Sequence, residues 1–90
     1  MGVKAAEWLV AKDPMLVGAD NWPVEVSPNP DKDLSLPGHQ IFLVLNGVHL
    51  LENLKLDELA AKKVGEFAFA MQPLKIQGGS GSTVAPVAIR

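Results

Sequence analysis

The chain contains no cysteine, so disulfides and thiolate metal sites are excluded and redox chemistry says nothing about compartment. No basic run exceeds Lys62-Lys63, and with 8 basic against 10 acidic residues the net charge is −2. An electrostatic footprint for nucleic acid is therefore absent. No apolar run approaches the roughly 18 residues of a membrane-spanning helix. The first residues do not pair a charged segment with a continuous apolar one, so no secretory leader is visible. Met1-Gly2 does not open a myristoylation signal, because position 6 is Ala6 and not serine or threonine. These absences point to a soluble domain in the cytoplasm.

What is present is apolar. Hydrophobic residues make up 48% of 90 positions, and the mean hydropathy is +0.17. Ninety residues suffice for one small domain whose core supplies only a few kcal/mol net. A body of that size has a large surface fraction, so part of its apolar area is expected to stay exposed or to be covered by a partner. Composition thus favours a homo-oligomer.

Along the chain, Val3, Ala6, Leu9 and Val10 recur at helical spacing and predict a helix from Val3 to Lys12, stopped by Pro14. Trp8 within it reads as packing. Met15 to Ala19 has strand length, and Trp22 to Val26 alternates as a short strand would. Asp20 and Glu25 could be functional carboxylates beside an aromatic, or simply a capped turn and a solvated strand face. Ser27 to Gly38, with Pro28, Pro30 and Pro37, is a loop long enough to suggest cover over a site.

The loop leads into the densest apolar stretch, His39 to Leu54, which holds both histidines and the reversal signal Asn46-Gly47. Two local readings are open. In one, Ile41–Leu45 and Val48–Glu52 form a β-hairpin about Asn46-Gly47. In the other, Pro37 opens a helix with Ile41, Val44 and Leu45 as its buried stripe, Gly47 terminates it in the left-handed region, and Val48–Glu52 returns as a strand. Both make the same contact. Eight helical residues rise ~12 Å and four strand steps cover ~13 Å, so Glu52 returns beside His39. In the hairpin, the two are diagonal neighbours on one face. His49, three residues before Glu52, points to the opposite face of the strand.

Asp57 to Lys63 reads as a short helix closed by Gly65. Glu66 to Met71 alternates with neither face polar, which predicts a strand buried on both sides. Val84 to Ile89 is a terminal strand. The glycine-serine run Gly78-Gly79-Ser80-Gly81-Ser82 lacks the lysine and following helix of a phosphate loop, and its serines lack the strand-to-helix elbow of a nucleophile. With no internal repeat and no linker, residues 1–90 read as a single domain of mixed α+β class. His39 and Glu52 are the best chemical pair: an imidazole and a carboxylate suit zinc or manganese, or a base oriented by an acid. A metal needs further protein ligands, and only one other histidine exists.

Several segments in order resemble the carboxyl-terminal half of the metal-dependent cyclase family, which includes bacterial kynurenine formamidase and related amide or lactam hydrolases. They are Gly2-Val3-Lys4-Ala5-Ala6-Glu7-Trp8-Leu9, Val17-Gly18-Ala19-Asp20-Asn21-Trp22, Glu25-Val26, His39, Gly47 and Glu52-Asn53-Leu54. The resemblance continues through Leu56-Asp57-Glu58-Leu59, Pro73-Leu74-Lys75-Ile76, the glycine-serine run and Pro86-Val87-Ala88-Ile89. It covers nearly the whole chain and favours the helical reading after Pro37. It implies a partial swivelling β/β/α fold, a dimer or higher oligomer, and catalytic or metal-ligating roles for His39 and Glu52 with a divalent zinc or manganese. The glycine-serine run would lie near the substrate pocket. The family's His-x-Gly-Thr-His-x-Asp-x-Pro-x-x-His motif, which supplies most of the metal ligands, is absent. The resemblance therefore implies a carboxyl-terminal part, inactive alone, with a possible complementary amino-terminal half. The alternative is a non-catalytic assembly or binding module.

Overall fold

The computed structural model describes residues Met1–Arg90 and has a small mixed α+β architecture. The chain divides into two compact units, Met1–Leu56 and Asp57–Arg90.

In the first unit, helix α1 spans Val3–Val10. It buries Ala6 and half-buries Val3, Leu9 and Val10, the face the spacing predicted. Trp8 does not pack: it is 62% exposed, with the Lys12 ammonium 5.2 Å above its ring. A cation over an indole face suits solvent, where the lysine keeps its hydration. Strand β1, Leu16–Gly18, pairs in parallel with β2, His49–Leu51, in the register Leu16↔His49, Val17↔Leu50, Gly18↔Leu51.

Trp22–Val26 is not a strand. Its backbone groups are taken by other partners: Val24 N–H donates to Glu52 Oε1 at 3.1 Å, the Met1 ammonium donates to Val24 O at 3.1 Å, and Val26 N–H donates to Met1 O at 2.8 Å. With its donors and acceptor so engaged, the segment has no ladder to join.

The central stretch is helical, but its inward side is not the expected Ile41, Val44 and Leu45. Val44 and Leu45 are 69% and 73% exposed and Phe42 is buried instead, because the wider π turn moves the inward face off the 3.6-residue spacing. Helix α2, Pro37–His39, runs directly into a π-helical stretch, Gln40–Leu45. Gly47 follows at φ +64, the left-handed conformation that glycine adopts without steric cost. The return is closed by Val48 N–H donating to Phe42 O at 2.8 Å. Phe42 is the one large side chain fully removed from solvent, and it forms the core with Ala6 and Val48. Leu9, Val10, Val17, Ile41 and Leu50 pack around that cluster.

In the second unit, α3 spans Asp57–Ala61, with Asp57 and Glu58 in its first turn as the helix dipole favours. The left-handed residue after it is Lys63, φ 53, and not Gly65. Strands β3, Ala68–Ala70, and β4, Val87–Ile89, pair antiparallel with Phe69 opposite Ala88. The expectation that β3 is buried on both faces is not met. Phe69 is 40% and Ile89 56% exposed, because two strands alone cannot cover either of their faces.

Candidate functional site

The site grows from the way α2 begins. Leu36, the residue before the helix, sits in the left-handed region at φ 48 and supplies no side-chain cap. A leucine there carries a strain of about 1–2 kcal/mol, which the surrounding contacts must hold in place. Pro37 has no N–H to satisfy. The next two amides, of Gly38 and His39, need an acceptor from elsewhere.

Glu25 is that acceptor. Its Oε2 receives Gly38 N–H at 2.6 Å and its Oε1 receives His39 N–H at 2.8 Å. The same Oε1 lies 2.6 Å from His39 Nδ1. One carboxylate thus caps the helix from a distant segment and grips the imidazole of its third residue. Glu25 is only 5% exposed, the one charged residue in the core. Burial pushes its carboxyl up, but the His39 ring and the amides of Gly38 and His39 outweigh burial and hold it below its ordinary value. Gly38 is fitted to this cap. A Cβ there would meet Glu25 Cδ at 2.9 Å and both carboxylate oxygens at 3.0 Å.

On the other edge of the ring, His39 Nε2 stands 3.6 Å from Glu52 Oε1. Glu52 follows β2 and is placed by its bond from Val24 N–H. The chain turns away at Asn53, φ 55, a residue type that tolerates the left-handed region. Its amide donates to Asn21 O at 3.3 Å, and Leu54 N–H donates to Ala19 O at 3.0 Å. The structure therefore brings His39 and Glu52 together, as both local readings required. Each side chain is partly open to solvent, 25% for His39 and 20% for Glu52.

His49 lies exposed on β2 and makes no side-chain hydrogen bond. Asp20 is likewise exposed; the turn beside it is held by Asn21 Nδ2 donating to Pro23 O at 2.9 Å. Glu25, which the sequence left open between a functional carboxylate and a solvated strand face, is neither solvated nor in a strand, and its pairing with His39 is what spacing did not anticipate. Two signals pointed to it: a glutamate between Val24 and Val26 is as costly to bury as one among leucines, and a helix opened by Leu36-Pro37 lacks a cap of its own. An open groove of about 350 Å³ follows the Ser27–Leu36 loop, lined by Val26, Pro28, Lys32 and Leu34 among others; neither His39 nor Glu52 lines it. In the second unit, Ser82 Oγ accepts Leu74 N–H at 3.1 Å and donates to Thr83 O, so this serine serves its own loop.

Catalytic zinc sites take three protein ligands. His39 Nε2 and Glu52 are two donors on one side of the ring, while Glu25 occupies the other nitrogen. No three histidine, aspartate or glutamate side chains are arranged around a common point where they could hold a metal ion. The residues present do not complete a divalent-metal site. The arrangement suits proton transfer at Nε2, the one ring nitrogen not engaged by Glu25. No protein-family model, curated protein or solved structure matches the chain.

Proposed function

We propose that this chain carries the histidine–glutamate part of a cyclase-like hydrolase site that acts on amide, formamide or lactam bonds, and that residues outside these ninety complete it. The observation that carries this reading is the convergence of His39 Nε2 and Glu52 Oε1 at 3.6 Å in a partly open position. In such a reaction His39 Nε2 takes a proton from water as the oxygen attacks the carbonyl carbon. It then returns that proton to the leaving nitrogen. General acid–base help of this kind is worth about 10²–10⁴ in rate. Zinc or manganese, if the reaction uses either, requires ligands that this chain does not supply.

Two measurements test the reading. Calorimetric titration of zinc and manganese into the chain alone is expected to show only weak binding; tight stoichiometric uptake contradicts the need for outside ligands. Adding a polypeptide that bears the missing histidine-rich motif is expected to yield N-formyl amide hydrolysis that His39→Ala abolishes. Activity indifferent to His39→Ala overturns the assignment.

A second reading, a self-associating module without catalysis, is favoured by the second unit. Phe67, Phe69, Val87 and Ile89 are all more than a third exposed on or beside a two-stranded sheet. Apolar area on such a sheet is better covered than solvated. Light scattering that shows a monomer at millimolar concentration removes this reading.

A further inference from the structure

We infer that Glu25 is a positioning residue: it fixes which nitrogen of His39 carries the proton and leaves Nε2 free to exchange one on the Glu52 side. The inference rests on the acid–base reading of His39 given above and assigns a role to a residue that reading leaves unused. The argument is one of donors and acceptors. Glu25 Oε1 faces His39 N–H, and Glu25 Oε2 faces Gly38 N–H, at 2.8 and 2.6 Å. Backbone amides can only donate, so both oxygens act as acceptors. Bonds from two amides favour the ionised carboxylate, which has no proton to give, so the third group on Oε1, His39 Nδ1 at 2.6 Å, is a donor too. Nδ1 carries the proton, and in the neutral ring Nε2 holds the lone pair.

The same count keeps Glu25 out of the chemistry. Its two oxygens hold three donors in a core position, so taking up a proton would cost it bonds on every side. Glu52 differs. Its Oε1 accepts one amide, from Val24, its Oε2 has no protein partner, and the side chain is half-buried. The two carboxylates flank one ring but divide its work, one holding and the other facing the reactive edge. A carboxylate behind a functional histidine is a recurrent way to fix tautomer and ring orientation, and its loss commonly lowers activity 10–100-fold. Here the device does more, because the carboxylate also holds the two amides of the turn that carries the ring. Ring and backbone are positioned by one group.

The test is long-range ¹H–¹⁵N correlation of the histidine rings in the full chain at alkaline pH, where imidazoles are neutral. His39 is expected to show protonated Nδ1 and unprotonated Nε2, while exposed His49 shows the mixture of an unconstrained ring. His39 with protonated Nε2, or with the same mixture as His49, overturns the proposal. Because this reading uses the unaltered protein, it decides the matter even if variants fail to fold. In Glu25→Ala, which leaves Nδ1 no acceptor, the Nδ1–H preference is expected to vanish; its persistence also overturns the proposal. Where hydrolysis is observed in a completed site, Glu25→Gln should lower kcat 10–100-fold with little change in KM. A fixed tautomer without any hydrolysis would remove the proposed reaction and leave the positioning role standing, so the two fail separately.

Discussion

Replacing Gly38 by alanine sets helix propensity against a buried carboxylate, and the structure gives enough to say which wins. Gly38 is helical, without a positive φ, so alanine fits its backbone and gains roughly 0.5–1 kcal/mol of propensity. The new methyl group, however, lands 2.9 Å from Glu25 Cδ and 3.0 Å from each oxygen. Ordinary contact needs about 3.5 Å, so the carboxylate must withdraw by roughly half an ångström from bonds of 2.6, 2.8 and 2.6 Å. Bonds to a charged group contribute about 1.5–3 kcal/mol each. Losing one outright, or weakening all three, costs about 2–4 kcal/mol. The net expectation for Gly38→Ala is destabilisation by about 1–3 kcal/mol.

The informative experiment repeats the substitution in a Glu25→Ala background. There the obstructing atoms are gone, and Gly38→Ala should stabilise by roughly 0.5–1 kcal/mol. The coupling between the two sites is then about 1.5–4 kcal/mol, well above the few tenths seen for independent positions. Urea unfolding followed by tryptophan fluorescence measures all four corners of the cycle, with sucrose added to every sample so that the weakest variant remains folded. Stabilisation of the same size in both backgrounds would show that Glu25 does not sit against Gly38, and the capping scheme would fall with it.

The sequence disclosed the parts of this site that depend on near neighbours. The face of α1, the glycine that reverses the chain at position 47 and the return of Glu52 to His39 all follow from spacing within about 16 residues. Glu25 was obscured because its environment is assembled from a distance. Its donors lie 13 and 14 residues on, beyond a proline-rich loop. Alternation in Trp22–Val26 is a property of two-sided strands, yet here the burial of Glu25 comes from the donors that meet it and not from a ladder. The same limit applies to β3. An all-apolar alternation records that the residues tolerate burial on both sides; the covering layer is a tertiary fact that a strand pattern does not contain.

Three further outcomes follow from the same contacts. Phe42→Ala empties the centre of the only core cluster and should cost about 3–5 kcal/mol, enough to abolish most of the cooperative urea transition of so small a domain; a loss below about 1 kcal/mol would mean that Phe42 is not the packing centre. The Lys62–Glu58 pair, 3.4 Å apart with both side chains more than half exposed, should contribute under about 0.5 kcal/mol, so Lys62→Ala should leave the urea midpoint within error. Finally, stability should fall in acid through Glu25. Its folded carboxyl is held below the ordinary value of 4.5, with burial opposing and the His39 ring, Gly38 amide and His39 amide prevailing. The unfolded chain therefore binds the proton first as pH drops, so the contribution is fully present above that ordinary value and is lost as pH falls through the lower folded one. Urea midpoints measured down the acid limb should decline with a shallower slope in Glu25→Gln than in the unaltered chain. Equal slopes would show that the carboxyl titrates alike in both states, which three short hydrogen bonds to the folded form do not allow.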